Sequence, residues 1–161
     1  MEISKNSRVW IYQSNRAFTL PEESLIEDTL SEFILQWEAH GSKLTAAAEI
    51  RYNRFIFLIV DEAQAGATGC SIDKSVNLIK TIEKELNINL FDRFNIAYRD
   101  AAGINSCNRD EFESLISEGK VNENTIVFNN LVQTLKEVET NWEVPLKDSW
   151  HEKVFGNLLS T

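Results

Sequence analysis

Residues 55–60 read Phe-Ile-Phe-Leu-Ile-Val, six consecutive apolar positions with no polar alternation. A strand that faces water on one side alternates apolar and polar residues, whereas one buried on both faces does not. This run therefore predicts a central strand, and the chain must supply cover for both of its faces. The length of 161 residues suits one compact domain with a sizeable core. Six apolar residues are far short of the ~20 that cross a bilayer as a helix, so no membrane association is expected.

The surrounding pattern supplies the partners. Val9-Trp10-Ile11-Tyr12 has the aromatic and β-branched character of a strand. A helix then opens at Thr19 or the residue after it, with Pro21, Glu22 and Glu23 in its first turn. Ile26, Leu30, Phe33, Ile34 and Trp37 fall on one helical face, and Gly41 is the expected C-cap. Leu44–Tyr52 and Phe55–Asp61 form a predicted hairpin around Asn53-Arg54, because Asn tolerates the left-handed conformation. Ser71 or Asp73 caps a second helix carrying Val76, Ile79, Ile82 and Leu86. Phe94–Tyr98 alternates as a fourth strand.

That order, βαββαβ, predicts an α+β fold with a ferredoxin-like antiparallel sheet as core over 1–100. Residues 101–161 form a C-terminal α/β extension of the same single domain. Within it, Asp110–Glu118 and Ser149–Leu159 read as helices, while 125–145 fits either a helix or a strand.

Charge and cysteine content narrow the class. Sixteen Lys and Arg against twenty-five Asp and Glu give a net charge of −9. That balance disfavours nonspecific nucleic-acid binding, whose affinity comes from cations on phosphates, and no nucleic-acid partner is expected. The first helix concentrates acids at Glu22, Glu23, Glu27, Asp28, Glu32 and Glu38, a solvated face or a docking face for a basic partner. Cys70 and Cys107 have no paired spacing, and the segment from Met1 to Asn6 has no apolar stretch of a leader, so a cytoplasmic protein is expected. No metal centre is expected, and no cofactor can be named.

Three constellations are candidates for chemistry. Phe55–Glu62 looks like a Walker B strand delivering Asp61 and Glu62, but the phosphate-cradling G-x-x-x-x-G-K-[ST] loop is absent. Gly69-Cys70-Ser71-Ile72-Asp73 lies between a central strand and a helix. There Gly69, Cys70, Ser71 and Asp73 either cap the helix or bind a small anionic ligand, and Cys70 could serve as a nucleophile. Cys70 with Asp61 and His151 would make a catalytic set if distant segments converge. The tryptophans read as core, or, for Trp142 and Trp150, as the lining of a ligand pocket or protein-partner surface.

Several segments carry a resemblance. These are R-V-W-I-Y-Q-S-N-R at 8–16, W-E-A-H-G at 37–41, G-C-S-I-D-K-S at 69–75, V-F-N-N-L-V at 127–132, and W-E-V-P with D-S-W-H at 142–151. Together they are similar to a bacterial family of uncharacterised proteins of about this length, often labelled "ABC transporter ATPase". The resemblance spans nearly the whole chain, and the label implies nucleotide hydrolysis. On the residues themselves, the expectation is a non-enzymatic ligand-binding or protein-interaction module. The alternatives are a small-molecule enzyme built on the Gly69–Asp73 turn and, behind it, the ATPase of the label.

Overall fold

The computed structural model describes residues 3–159, so Met1 and Glu2, where the leader reading began, lie outside the described residues. The fold is mixed α and β with antiparallel sheets, and its residues form two compact units. The first comprises 1–91 with 133–136, and the second 92–132 with 137–161. No helix among the described residues is long and apolar enough to cross a membrane.

In the first unit, β1 (Arg8–Gln13), β4 (Thr45–Arg51) and β5 (Phe55–Asp61) form a sheet in the order β1-β5-β4. The apolar run is thus the middle strand, and Phe55 to Val60 are all buried. Helices α1 (Leu20–Gln36) and α2 (Gly69–Leu86) cover one face. Ile26 and Leu30 of α1 and Ile79 and Ile82 of α2 pack with Ile56 and Leu58. Burying side chains of this size contributes about 1.5–3 kcal/mol each. On the other face, the Arg51 guanidinium lies over the Phe57 ring and pairs with Glu49 at 2.6 Å.

The predicted four-stranded sheet is not formed. Its fourth strand, β6 (Ile96–Asp100), pairs instead with β7 (Gly103–Cys107) and β8 (Ile126–Phe128). The free side of β1 is taken by a short segment from much later in the chain. Arg8 bridges to Thr134, Val9 N–H donates to the Gln133 carbonyl, and Leu135 N–H donates to that of Ser7. The expected alternation at 94–98 is not seen in burial, since Phe94 is exposed ahead of the strand while Ile96 and Ala97 are both buried, and a side-chain pattern does not name a strand's neighbour in any case.

The second unit has the sheet order β7-β6-β8-β9, where β9 is Glu143–Pro145. Pro145 sits on an edge strand, where its missing N–H costs no ladder bond. Helices α3 (Arg109–Ser117) and α5 (His151–Leu159) supply Phe112, Ile116 and Phe155 to a core with Ile96, Val127 and Leu146. The ambiguous 125–145 stretch contains both readings. It makes β8, then the single turn α4 (Leu135–Glu137), a π turn over Val138–Trp142, and β9.

Two expected caps are corrected. α1 ends at Gln36, and Gly41 belongs to a tight hairpin joining β2 (Glu38–Ala39) to β3 (Ser42–Lys43). His40 and Gly41 have φ of 51° and 78°, the left-handed pair that a two-residue hairpin turn requires. α2 is capped by Thr68, not by Ser71 or Asp73.

Candidate functional site

The loop after the central strand binds mostly to itself. Asp61 Oδ1 accepts from Ala63 N–H at 3.1 Å, and Glu62 Oε2 accepts from Ala67 N–H at 2.8 Å. The two carboxylates that resembled a Walker B pair therefore close the turn that leads into α2. Thr68 and Ser71 then form a reciprocal capping box. Ser71 N–H donates to Thr68 Oγ1 at 3.2 Å, and Thr68 N–H donates to Ser71 Oγ at 2.7 Å. Ser71 is buried, and its hydroxyl also donates to the Thr68 carbonyl.

The other members of the turn are isolated. Gly69 is exposed, and a Cβ added there would meet nothing within 4 Å, so no close approach demands a glycine. Cys70 is exposed and its thiol is free. Asp73 is exposed, and its side chain makes no hydrogen bond or ion pair among the described residues.

His151 and Trp150 belong to the second unit, whereas Cys70 and Asp61 belong to the first. His151 is buried, with Nδ1 at 2.6 Å from Ser149 Oγ and its ring stacked on Trp150 at 3.8 Å. Burial lowers its pKa from 6.5 to about 4, because the cation loses its hydration. Trp142 is also core, donating from Nε1 to Asn130 Oδ1 at 2.9 Å and packing on Phe128. The second cysteine, Cys107, is pushed up to about 11 by burial and by the nearby Glu111 charge, which keeps it a thiol. Among the described residues, no three His, Cys, Asp or Glu side chains converge to hold a metal.

A groove of about 350 Å³ opens between α1 and α2. Thr29, Glu32, Phe33, Gln36 and Trp37 line it from the α1 side, and Lys74 and Leu78 from α2. Its floor is fixed: Trp37 is buried, and its Nε1 donates to the Ser71 carbonyl at 2.8 Å. Phe33 packs against that indole at 5.0 Å between centroids, and Trp10 meets it edge-on at 6.1 Å. Its rim is not fixed. The side chains of Glu32, Gln36 and Lys74 make no hydrogen bond or ion pair among the described residues.

Ser71 ties the expected turn to this groove through Trp37, but the turn itself is not the lining. Of the lining residues, Phe33 and Trp37 were read for the core and Glu32 for charge, and Thr29, Gln36 and Leu78 carried no signal of their own. Their spacing was visible: 29, 32, 33 and 36 recur at helical intervals, as do 74 and 78. Comparisons with protein-family models, with curated proteins and with solved structures find no match.

Proposed function

We propose that this chain is a non-enzymatic binding module of the cytoplasm whose ligand site is the α1–α2 groove. One observation carries the reading. The groove combines a rigid aromatic floor with three unbonded polar side chains, while Asp61, Ser71 and His151 are engaged in the protein's own hydrogen bonds. Its volume is at the lower end of the ~300–1,000 Å³ typical of small-molecule sites, so a small molecule fits better than a protein segment. The net charge of −9 argues against nucleic acid, and the two free cysteines are consistent with a reducing compartment.

The competing reading is a small-molecule enzyme with Cys70 as nucleophile. It is favoured by the thiol's exposure in the first turn of α2. The ATPase reading has less support, because Asp61 and Glu62 are both committed to the turn after β5.

A thermal-shift screen of small polar-aromatic compounds tests the module, since a ligand that binds only the native state raises Tm. Hits should stabilise the wild type and Cys70→Ala equally and fail on Gln36→Trp, which fills the groove from an exposed position. Hits indifferent to Gln36→Trp, or a compound turned over by wild type and not by Cys70→Ala, would contradict it.

A further inference from the structure

The three-stranded sheet of the first unit treats its two outer strands differently. On β1, Val9 N–H donates to the Gln133 carbonyl and the Ser7 carbonyl accepts from Leu135 N–H, so its odd-numbered residues face outward and are paired there. The even-numbered Arg8, Trp10 and Tyr12 therefore bond to Val60, Leu58 and Ile56, which stand opposite them. That leaves Phe55, Phe57, Ile59 and Asp61 to bond Arg51, Glu49, Ala47 and Thr45 on the other side. The backbone groups of Ala46, Ala48 and Ile50 consequently point to the open side of β4, where they have no hydrogen bond among the described residues. Sheets usually blunt such an edge with proline, lysine or a bulge. Thr45–Arg51 has none of these, and its pairing with β5 runs in unbroken register.

Helix α1 runs beside this edge from end to end. Phe18 N–H, just before the helix, donates to the Asn53 carbonyl at 2.7 Å, and the Trp37 carbonyl, just after it, accepts from Leu44 N–H at 2.9 Å. Between these ties, Ile26 and Leu30 pack down onto the sheet. At about 100° per residue, Thr29, Glu32 and Gln36 project to one side of that line, into the groove with α2. Glu23 and Glu27 project to the other side, above the open strand. Their carboxylates make no hydrogen bond or ion pair among the described residues. No Lys or Arg occurs between positions 17 and 42 to neutralise them.

We propose that the β4 edge docks an extended, basic segment of a partner protein, which adds a strand to the sheet. The backbone groups of Ala46, Ala48 and Ile50 bond its main chain. Its alternate side chains rise beside α1, where two basic ones meet Glu23 and Glu27. The spacings agree, because four residues along a helix advance about 6 Å and two along a strand about 6.6 Å. A second copy of this chain fits the edge poorly, since its own α1 brings like charge to the same seam. This surface lies on the flank of α1 opposite the groove and is independent of any ligand there.

The test is an NMR titration of the ¹⁵N-labelled full chain with three capped hexapeptides: alternating valine and lysine, the same peptide N-methylated at its lysines, and alternating valine and glutamate. The lysine peptide should shift the amides of Ala46, Ala48 and Ile50. N-methylation removes the donors that face β4 and should weaken binding by about tenfold or more. The glutamate peptide should bind about fivefold more weakly than the lysine peptide. The double variant Glu23→Gln, Glu27→Gln should abolish that preference. Equal binding of the methylated peptide would reduce the contact to charge attraction and overturn the added strand. Unmoved amides at Ala46, Ala48 and Ile50 under millimolar lysine peptide would overturn it too. So would broadening of those amides with the chain's own concentration and no peptide present, the mark of a second copy.

Discussion

The two ends of the α1–α2 pair are built from the same materials and finished in opposite ways. At one end Arg16 links the Glu22 carboxylate to the last carbonyl of α2, and Glu22 also accepts from Thr19 N–H at 2.9 Å. At the other end Trp37 links the two helices through Ser71, yet Glu32, Gln36 and Lys74 are left without partners among the described residues. The closed end meets its helix poles with charged side chains, while at the open end the Thr68–Ser71 box closes the start of α2. The open end keeps a rigid floor and an unspent rim, an arrangement that holds a binding surface in shape before the ligand arrives.

The largest expected effect is at the open end, and it concerns the floor. Trp37→Ala should lower unfolding free energy by about 3–5 kcal/mol in urea titrations, because a fully buried ring leaves a cavity. Trp37→Phe keeps most of the ring and loses only the indole hydrogen bond to the Ser71 carbonyl, at a cost of about 0.5–1.5 kcal/mol. A loss under ~0.5 kcal/mol for Trp37→Ala would mean that the floor is not packed as described.

His151 supplies a contrast from the second unit, where a polar side chain is buried and committed. Above pH 6.5 it is neutral in both folded and unfolded chains. Between 6.5 and about 4 the unfolded chain takes up a proton that the native protein refuses, so stability falls as pH falls. Below about 4 both states are protonated and the loss levels off, after a total of about 3 kcal/mol. Urea titrations at pH 7 and pH 4 should show His151→Gln losing less stability than wild type over that interval. Equal losses would contradict the buried neutral imidazole.

A smaller effect belongs to the closed end. Its Arg16 partner and the Thr19 amide hold the Glu22 carboxyl down to about 2, from an ordinary 4.5. The stabilisation is fully present above 4.5 and is lost as pH falls through about 2. At neutral pH, Glu22→Gln should cost about 1–2 kcal/mol, since charged hydrogen bonds go and Arg16 remains. The smallest effect belongs to the rim. Glu32→Gln and Lys74→Gln should each leave stability within about 0.5 kcal/mol, the ordinary range for unbonded surface residues. A rim substitution as costly as Glu22→Gln would erase the distinction between the two ends.

Much of the first unit was legible in the residues. Phe55–Val60 as a middle strand, Thr19 as the cap of α1 and the left-handed Asn53 follow from burial, capping and φ preferences that act over a few residues, although the loop is Tyr52–Arg54 with Tyr52 left-handed too, one residue longer than expected. The partner of β6 did not follow, because strand pairing is decided by distant segments such as Gly103–Cys107, whose polar Asn105 and Ser106 mask its strand character. The helix at Ser149–Leu159 was visible in its spacing, but the burial of His151 was not. For the site, Gly69–Asp73 was expected as a turn ahead of α2 and is instead the first helical stretch of α2, because Thr68 caps one residue earlier, and Ser71 does reach the groove floor. Which helix faces that turn is a tertiary fact, and with it went Thr29, Glu32 and Gln36.

The four tryptophan indoles offer the most direct test of the central claim. Trp37 floors the open groove, whereas Trp142 is buried and bonded to Asn130, and Trp150 is stacked on His151. When a hit from the thermal-shift screen is titrated into the ¹⁵N-labelled chain and followed by NMR, the Trp37 indole N–H should move most, with those of Trp142 and Trp150 unchanged. Movement of the Trp150 resonance with Trp37 stationary would place the ligand in the second unit and contradict the account.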